Sequence, residues 1–167
     1  MLLENRLEFN VHEINENPKA RTVTIKKLYF GRYCGRNIDA TRAFLDSYRT
    51  QGYSVHGNPD LCRKSRYLLT NEDAVEVQGP QTSGEVEIVA IVDSDEVLVS
   101  VGSDHNDRTI ETMWADALGK VYDTAKQKQM VPTVVARDAS KYEEIRDHWD
   151  RLNLRSYVTV SGKKIPY

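Results

Sequence analysis

Two β-rich runs, "GEVEIVAIV" at 84–92 and "EVLVSVGS" at 96–103, flank Asp93-Ser94-Asp95, and this juxtaposition constrains the chain more than any other feature. β-Branched residues in close succession on either side of a short polar loop are the signature of a β-hairpin. Both runs carry apolar residues on both faces, so a central, doubly covered place in a sheet is expected. Yet the first run opens with Glu85 and Glu87, which share one face, and that face continues as Val89 and Ile91. Carboxylates on a strand that enters a core must be paired, protonated or bound to a metal, because an isolated buried charge is too costly.

With Val92 facing Glu96 across the turn, the register sets Glu87 opposite Val101 and Glu85 opposite Ser103, with Asp104 immediately beyond. Three carboxylates then share one end of the hairpin. The Cα atoms of Glu85 and Glu87 lie about 6.6 Å apart on an extended chain, close enough for their side chains to converge. In this register Asp104 points to the other face, and a break in the strand after Gly102 is needed to swing it over. Two readings of the cluster stand side by side. The glutamates lie at a solvated mouth and pair with basic side chains such as Arg108, or they gather around a hard divalent cation. Oxygen-only donors favour Mg²⁺, Mn²⁺ or Ca²⁺ over zinc, with His105 beside Asp104 leaving an opening for a softer ion.

The rest of the chain reads as further strands and isolated helices. "TVTIKKLYFGRYCG" (22–35) is a strand with its exit turn, followed by a helix capped by Asn37, with Ala40, Ala43, Phe44, Ser47 and Tyr48 inward and Gly52 as its left-handed end. Residues 54–66 read as loop, and "RYLLT" and "AVEVQG" as short strands. A helix with a stripe of Ile110, Met113, Trp114, Ala117, Leu118 and Val121 starts near Asp107, a residue better suited to capping than to metal ligation. "VPTVVAR" is a short strand, and Ser140-x-x-Glu143 forms a capping box for a last helix with Tyr142, Ile145, Trp149 and Leu152 on one face. A strand and a polar turn close the chain. Strands punctuated by isolated helices, without regular alternation, point to an α+β fold.

One domain over residues 1–167 is expected from length. The 23 basic and 25 acidic side chains balance to a net charge of −2, which argues against nucleic acid as the main partner. No apolar run reaches the roughly 20 residues of a membrane span and no leader pattern opens the chain, so a cytoplasmic location is expected, with Cys34 and Cys62 as free thiols. No Gly-rich phosphate loop, G-x-S-x-G elbow or His-x-x-x-His pair is present.

"TSGEVE", a hairpin and then "VGSDHNDR" together resemble the fumarylacetoacetate hydrolase superfamily, whose metal site joins a Glu-x-Glu strand to a later Asp-x-x-x-Arg segment. Gly119-Lys120 and Pro132 follow in the superfamily's order. "GRNIDATRAFLD", "LLT", "TSGEVE", "VGSDHNDR" and "DHWDRLNLRS" resemble, more closely, the bacterial domain-of-unknown-function family 2848, over about residues 22 to 158. The resemblance implies a mixed β-roll or barrel of the fumarylacetoacetase C-terminal-like type with a few packed helices, usually a homodimer. It implies a small oxo-carboxylate bound to Mg²⁺ or Mn²⁺, with Ca²⁺ admissible, and C–C hydrolysis, decarboxylation or tautomerisation through a metal-stabilised enolate. Glu85, Glu87 and Asp104 would be the ligands, and Arg108 or Lys120 would hold the substrate. The superfamily's water-activating His/Glu pair has no counterpart in "ATRAFLDSY", where His105 becomes the partial substitute, and the family's later strands are expected to be absent beyond "KKIPY". A non-catalytic binding or structural protein on the same scaffold is therefore the alternative.

Overall fold

Simple alternation builds the first strand. In β1 (Asn5–His12) Leu7, Phe9 and Val11 point inward and are buried, while Arg6, Glu8 and Asn10 face out. The computed structural model describes residues 4–52, 59–82, 84–113 and 124–166. β2 (Lys19–Ile25) folds back antiparallel on β1 and sets Val23 opposite Leu7. The strand expected from residue 22 onward is in fact two, because the chain leaves the sheet at Lys26-Lys27 before β3 (Leu28–Arg32).

The helix α1 (Ile38–Thr50) starts where Asn37 Oδ1 accepts the Ala40 N–H at 3.0 Å, and Gly52 ends it with φ of 85°. Its inward side differs from the expected one. Leu45 is the buried residue, with Thr41 and Tyr48 half-buried beside it, whereas Ala40, Ala43, Phe44 and Ser47 face solvent. Phe44 stays on the surface by packing its ring 4.6 Å from Tyr48 and 6.3 Å from Tyr33, a local aromatic cluster that needs no core.

β4 (Asp60–Lys64) lies inside the run read as loop and pairs antiparallel with β3. Of the two short strands expected next, only β5 (Leu69–Thr70) forms, and 74–79 is irregular. The hairpin is present as β6 (Val86–Asp93) and β7 (Glu96–Ser103), but with Asp93 opposite Glu96 and a two-residue turn in which Ser94 adopts φ of 56°. The whole ladder is therefore one residue out from the expected register, putting Glu87 opposite Gly102. β7 is the central strand: β6 lies on one side, and β8 (Thr133–Val135) and β9 (Asp138–Lys141) on the other. Among the described residues β6 has no second partner in the sheet, and Ile88, Val92 and Val101 on the outer face are 41%, 73% and 44% exposed, so no described element covers the hairpin on that side.

The main sheet runs β2-β1-β9-β7-β8-β5, with β6 attached to β7. It is mixed: β1–β9 and β5–β8 pair parallel, the remainder antiparallel. α2 begins at Arg108 and is described to Met113; Trp114, Ala117, Leu118 and Val121 of its expected stripe lie outside the described residues. Ser140 belongs to β9, so no capping box forms. α3 (Tyr142–Ile145) starts directly after the strand, continues as 3₁₀ helix to Arg151, and packs Tyr142 edge-on to Trp149 at 5.5 Å. A separate hairpin, β10 (Tyr157–Val160) with β11 (Lys163–Pro166), turns at Ser161-Gly162, both at positive φ.

The architecture is mixed α+β, rich in sheet and poor in helix, and the described strands do not close into a barrel. Leu7, Phe9, Val11, Val23, Ile25, Leu69, Ile91, Leu98, Val135 and Ala139 form the buried core cluster beneath the main sheet. Gly102 is required where β6, β7 and β8 meet, because a Cβ there would lie 2.6 Å from Val89 Cγ2 and 2.7 Å from the Val134 carbonyl oxygen. No described helix is long and apolar enough to cross a membrane.

Candidate functional site

The one-residue shift in register assembles the site. Past the formal end of the ladder, the Asp104 N–H donates to the Glu85 carbonyl at 2.9 Å, so these two residues face each other and their side chains leave the same side of the hairpin. The break that would have been needed to turn Asp104 over is not required. The loop that follows is held from outside. Arg108 N–H donates to the Gln81 carbonyl at 2.8 Å, Thr82 Oγ1 donates to the Asn106 carbonyl at 3.1 Å, and Asp107 Oδ1 accepts the Ile110 N–H at 3.0 Å as the expected cap of α2.

Glu85 and Asp104 converge on a cation supplied by the chain itself. Lys128 Nζ, from the 3₁₀ segment Thr124–Met130, lies 3.1 Å from Glu85 Oε2 and 2.8 Å from Asp104 Oδ2, and donates to the Asp104 carbonyl at 2.7 Å. Arg108 takes the other oxygen of Glu85 at 2.7 Å and also pairs with Glu111. Arg108 and Glu85 are thus brought together as the pairing reading anticipated. Asp104 Oδ1 is buried and has no hydrogen-bond partner among the described residues. Glu87 stands beside this group, and burial, then the charges of Asp104 and Glu85, hold its carboxyl above the ordinary glutamate range.

Two further groups border the cluster. His105 is 6% exposed, makes no hydrogen bond through its buried Nε2, and has its pKa lowered by burial and by the nearby Lys64 charge. Lys64, at the end of β4 and 2% exposed, donates to Thr133 Oγ1 at 2.7 Å, and burial pushes it down to about 8. Lys128 and Lys64 were absent from the sequence reading. Alternation along β4 turns Asp60, Cys62 and Lys64 to its less exposed side, which is the one signal that could have found Lys64. Lys120 lies outside the described residues, as does His56. His12 ends β1 and contacts Asp138 at 2.8 Å, and His148 pairs with Arg151 on the surface.

Among the described residues no three His, Cys, Asp or Glu side chains gather closely enough to hold an ion. The donors present are nonetheless hard oxygens, and Asp104 Oδ1 is an acceptor still unused after Lys128 has been satisfied, which suits a hard divalent cation. A cleft of about 410 Å³ at the far end of the hairpin is walled by Arg21 and Lys141 and by the carboxylates Asp93, Asp95, Glu96 and Glu143, and there Arg21 already pairs with Asp93 and Glu96, and Lys141 with Glu96.

No curated protein and no solved structure matches the chain. A family model described as "Protein of unknown function (DUF2848)" matches residues 31–167, a span that contains the hairpin, the loop after it and Lys128. Covering far more than half of the sequence, that match establishes that the chain belongs to the DUF2848 family.

Proposed function

We propose that this protein is an enzyme acting on a small oxo-carboxylate, with a divalent cation, Mg²⁺ or Mn²⁺, held by Glu85, Glu87 and Asp104. The observation that carries the reading is the convergence of Glu85 and Asp104, opposed across the hairpin mouth, on one positive atom, Lys128 Nζ. The substrate class comes from the likeness of the Glu-x-Glu strand and the Asp-x-x-x-Arg segment to the fumarylacetoacetate hydrolase superfamily, whose β-roll and homodimeric assembly belong to the same proposal. The exposed outer face at Ile88, Val92 and Val101 supports pairing of two copies.

When bound, a hard divalent ion supplies polarisation of a carbonyl oxygen. The chain's own residues do the rest. Arg108, 38% exposed in its side chain and already forked between Glu85 and Glu111, is placed to exchange one carboxylate for that of a substrate. Lys128 neutralises the carboxylate pair while no other cation is there. His105, kept neutral by its surroundings, is the group able to accept or return a proton next to a carbonyl.

A second reading, a binding protein with Lys128 as its permanent cation, is favoured by one observation: both oxygens of Glu85 are already taken, by Arg108 at 2.7 Å and Lys128 at 3.1 Å. Thermal melts with and without Mn²⁺ separate the two. The enzyme reading expects saturating Mn²⁺ to raise Tm by about 5–10 °C, a rise lost in Glu85→Ala/Glu87→Ala and enlarged in Lys128→Met, where the competing ammonium is gone. It also expects Mn²⁺-dependent turnover of a panel of β-diketo and 2-oxo acids, abolished by Arg108→Ala. An unmoved Tm in both wild type and Lys128→Met sinks the metal site and leaves the binder.

A further inference from the structure

β6 leaves one edge of the main sheet open. The Asp104 N–H bond to the Glu85 carbonyl, together with the two-residue turn after Asp93, fixes the phase of the hairpin. Glu85, Glu87, Val89, Ile91 and Asp93 therefore turn their main-chain groups toward β7, whereas Val86, Ile88, Ala90 and Val92 turn theirs away from it. No described strand receives those outward N–H and C=O groups.

Proteins ordinarily protect such an edge with Lys, Pro or a bulge, or keep it short. Val86–Val92 has none of these guards: the run holds no Pro, Gly, Lys or Arg, and its ladder with β7 is unbroken. Ile88, Ala90 and Val92 are exposed on the outer face, while Glu87 lies on the opposite one. The two ends of the strand identify what pairs with it. Glu87, near the start, makes no ion pair among the described residues. Asp93, at the end, holds Arg21 at 2.7 Å, and the arginine side chain is still 33% exposed. Antiparallel pairing lays the start of one strand against the end of the other. A second copy of β6 therefore brings Arg21 to the carboxylate that lacks a cation, and symmetry does so twice.

We propose that two copies of this chain join edge to edge through β6, antiparallel about a two-fold axis at Ala90, so that one continuous sheet crosses both. Ala90 meets Ala90 of the second copy, Ile88 meets Val92, and Glu87 comes beside Asp93 with its Arg21. The outward main-chain groups gain their missing partners, and the apolar cross-strand pairs add lateral packing. The contact rests on the homodimer proposed above and is independent of the metal.

Sedimentation velocity on the full chain, in metal-free, chelator-treated buffer, reads the assembly. The wild type is expected to be a dimer. Ile88→Lys/Val92→Lys, at exposed positions, sets ammonium against ammonium in both Ile88–Val92 pairs and is expected to weaken the dimer at least about tenfold. A cysteine cross-link reads the register, whether or not that variant folds. In a Cys34→Ser/Cys62→Ser background, Ala90→Cys is expected to cross-link under oxidised glutathione, because Cα atoms about 5.5 Å apart across the axis suit a disulfide. Val92→Cys in the same background lies away from the axis and is expected to stay reduced. A monomeric wild type sinks the homodimer and this contact together. A dimer that survives Ile88→Lys/Val92→Lys, or that cross-links no better through position 90 than through 92, overturns the β6 contact and leaves the homodimer standing. Because no metal is present, each result is read separately from the Mn²⁺ melts.

Discussion

Lys64 carries an ammonium to a place that discourages it. Burial is the main force that lowers its pKa to about 8, Lys128 adds to it, and Asp104 opposes. Below pH 8 both folded and unfolded chains hold the proton, and the fold bears the full cost of the buried charge. Between 8 and the ordinary value of 10.5 the folded chain releases it first, so this residue's contribution to stability rises with pH. Lys64→Met removes the charge while keeping most of the volume. Its advantage over wild type is expected to be largest at pH 7 and to shrink toward pH 10 by up to about 3 kcal/mol, followed by urea denaturation. An advantage that stays constant across that range refutes the account. The residue-level chemistry was half legible in the sequence. Glu85, Asp104 and Arg108 lie within one hairpin, its exit loop and the first residue of the helix after it, where spacing along the chain reports spacing in space. Lys128 comes from 43 residues beyond Glu85, in a segment with no periodicity to mark its inward side, so its arrival between the carboxylates could not be read.

At the scale of elements, the hairpin was identified and its register was not, because a two-residue and a three-residue loop both fit Asp93-Ser94-Asp95. The fold resolves this by tying the turn down from outside. Arg21 of β2 reaches Asp93 at 2.7 Å and pairs with Glu96, and Lys141 of β9 lies 3.3 Å from Glu96 and 3.2 Å from Glu13. The Arg21 hydrogen bond, ahead of the contribution from Lys141, holds the Glu96 carboxyl below its usual 4.5. A depressed carboxylate stabilises the fold fully above that value and loses its contribution as pH falls through the folded pKa. Glu96→Gln is therefore expected to cost less than about 1 kcal/mol at pH 7, given partial exposure, and to converge with wild type well below pH 4.5. Guanidinium melts across pH 3–7 check it, and a difference that persists undiminished in acid contradicts it. Strands were missed or joined where a rule of alternation had competition. Lys26-Lys27 interrupted an apparently continuous run, and β4 was hidden among turn formers. β1, which alternates cleanly, was the most readable strand and was overlooked beside the busier centre of the chain.

Over the whole molecule, stability is unevenly distributed. The core cluster is drawn from β1, β2 and β5 to β9, whereas β10 and β11 form a sheet of their own with Val158 the one half-buried residue in eight. Amides at 159–164 are expected to exchange with solvent through local opening, while those of Phe9, Leu98 and Val135 exchange at rates set by global unfolding. Equal protection in both sets, measured by native-state hydrogen exchange, runs against this division.

The parallel pairing of β1 with β9, Asn10 beside Asp138 and His12 beside Ser140, reaches across almost the full length of the chain. Leu7, Phe9, Val11, Val23 and Ile25 make up half of the buried cluster, yet all precede residue 31, where the family match begins. The stretch that the family model matches is thus smaller than the unit that folds. A piece trimmed to the recognised boundary would strip the inner sheet of its neighbour, leaving Ala139 and Leu98 bare to water and the freed flank of β9 ready to recruit a stranger's strand.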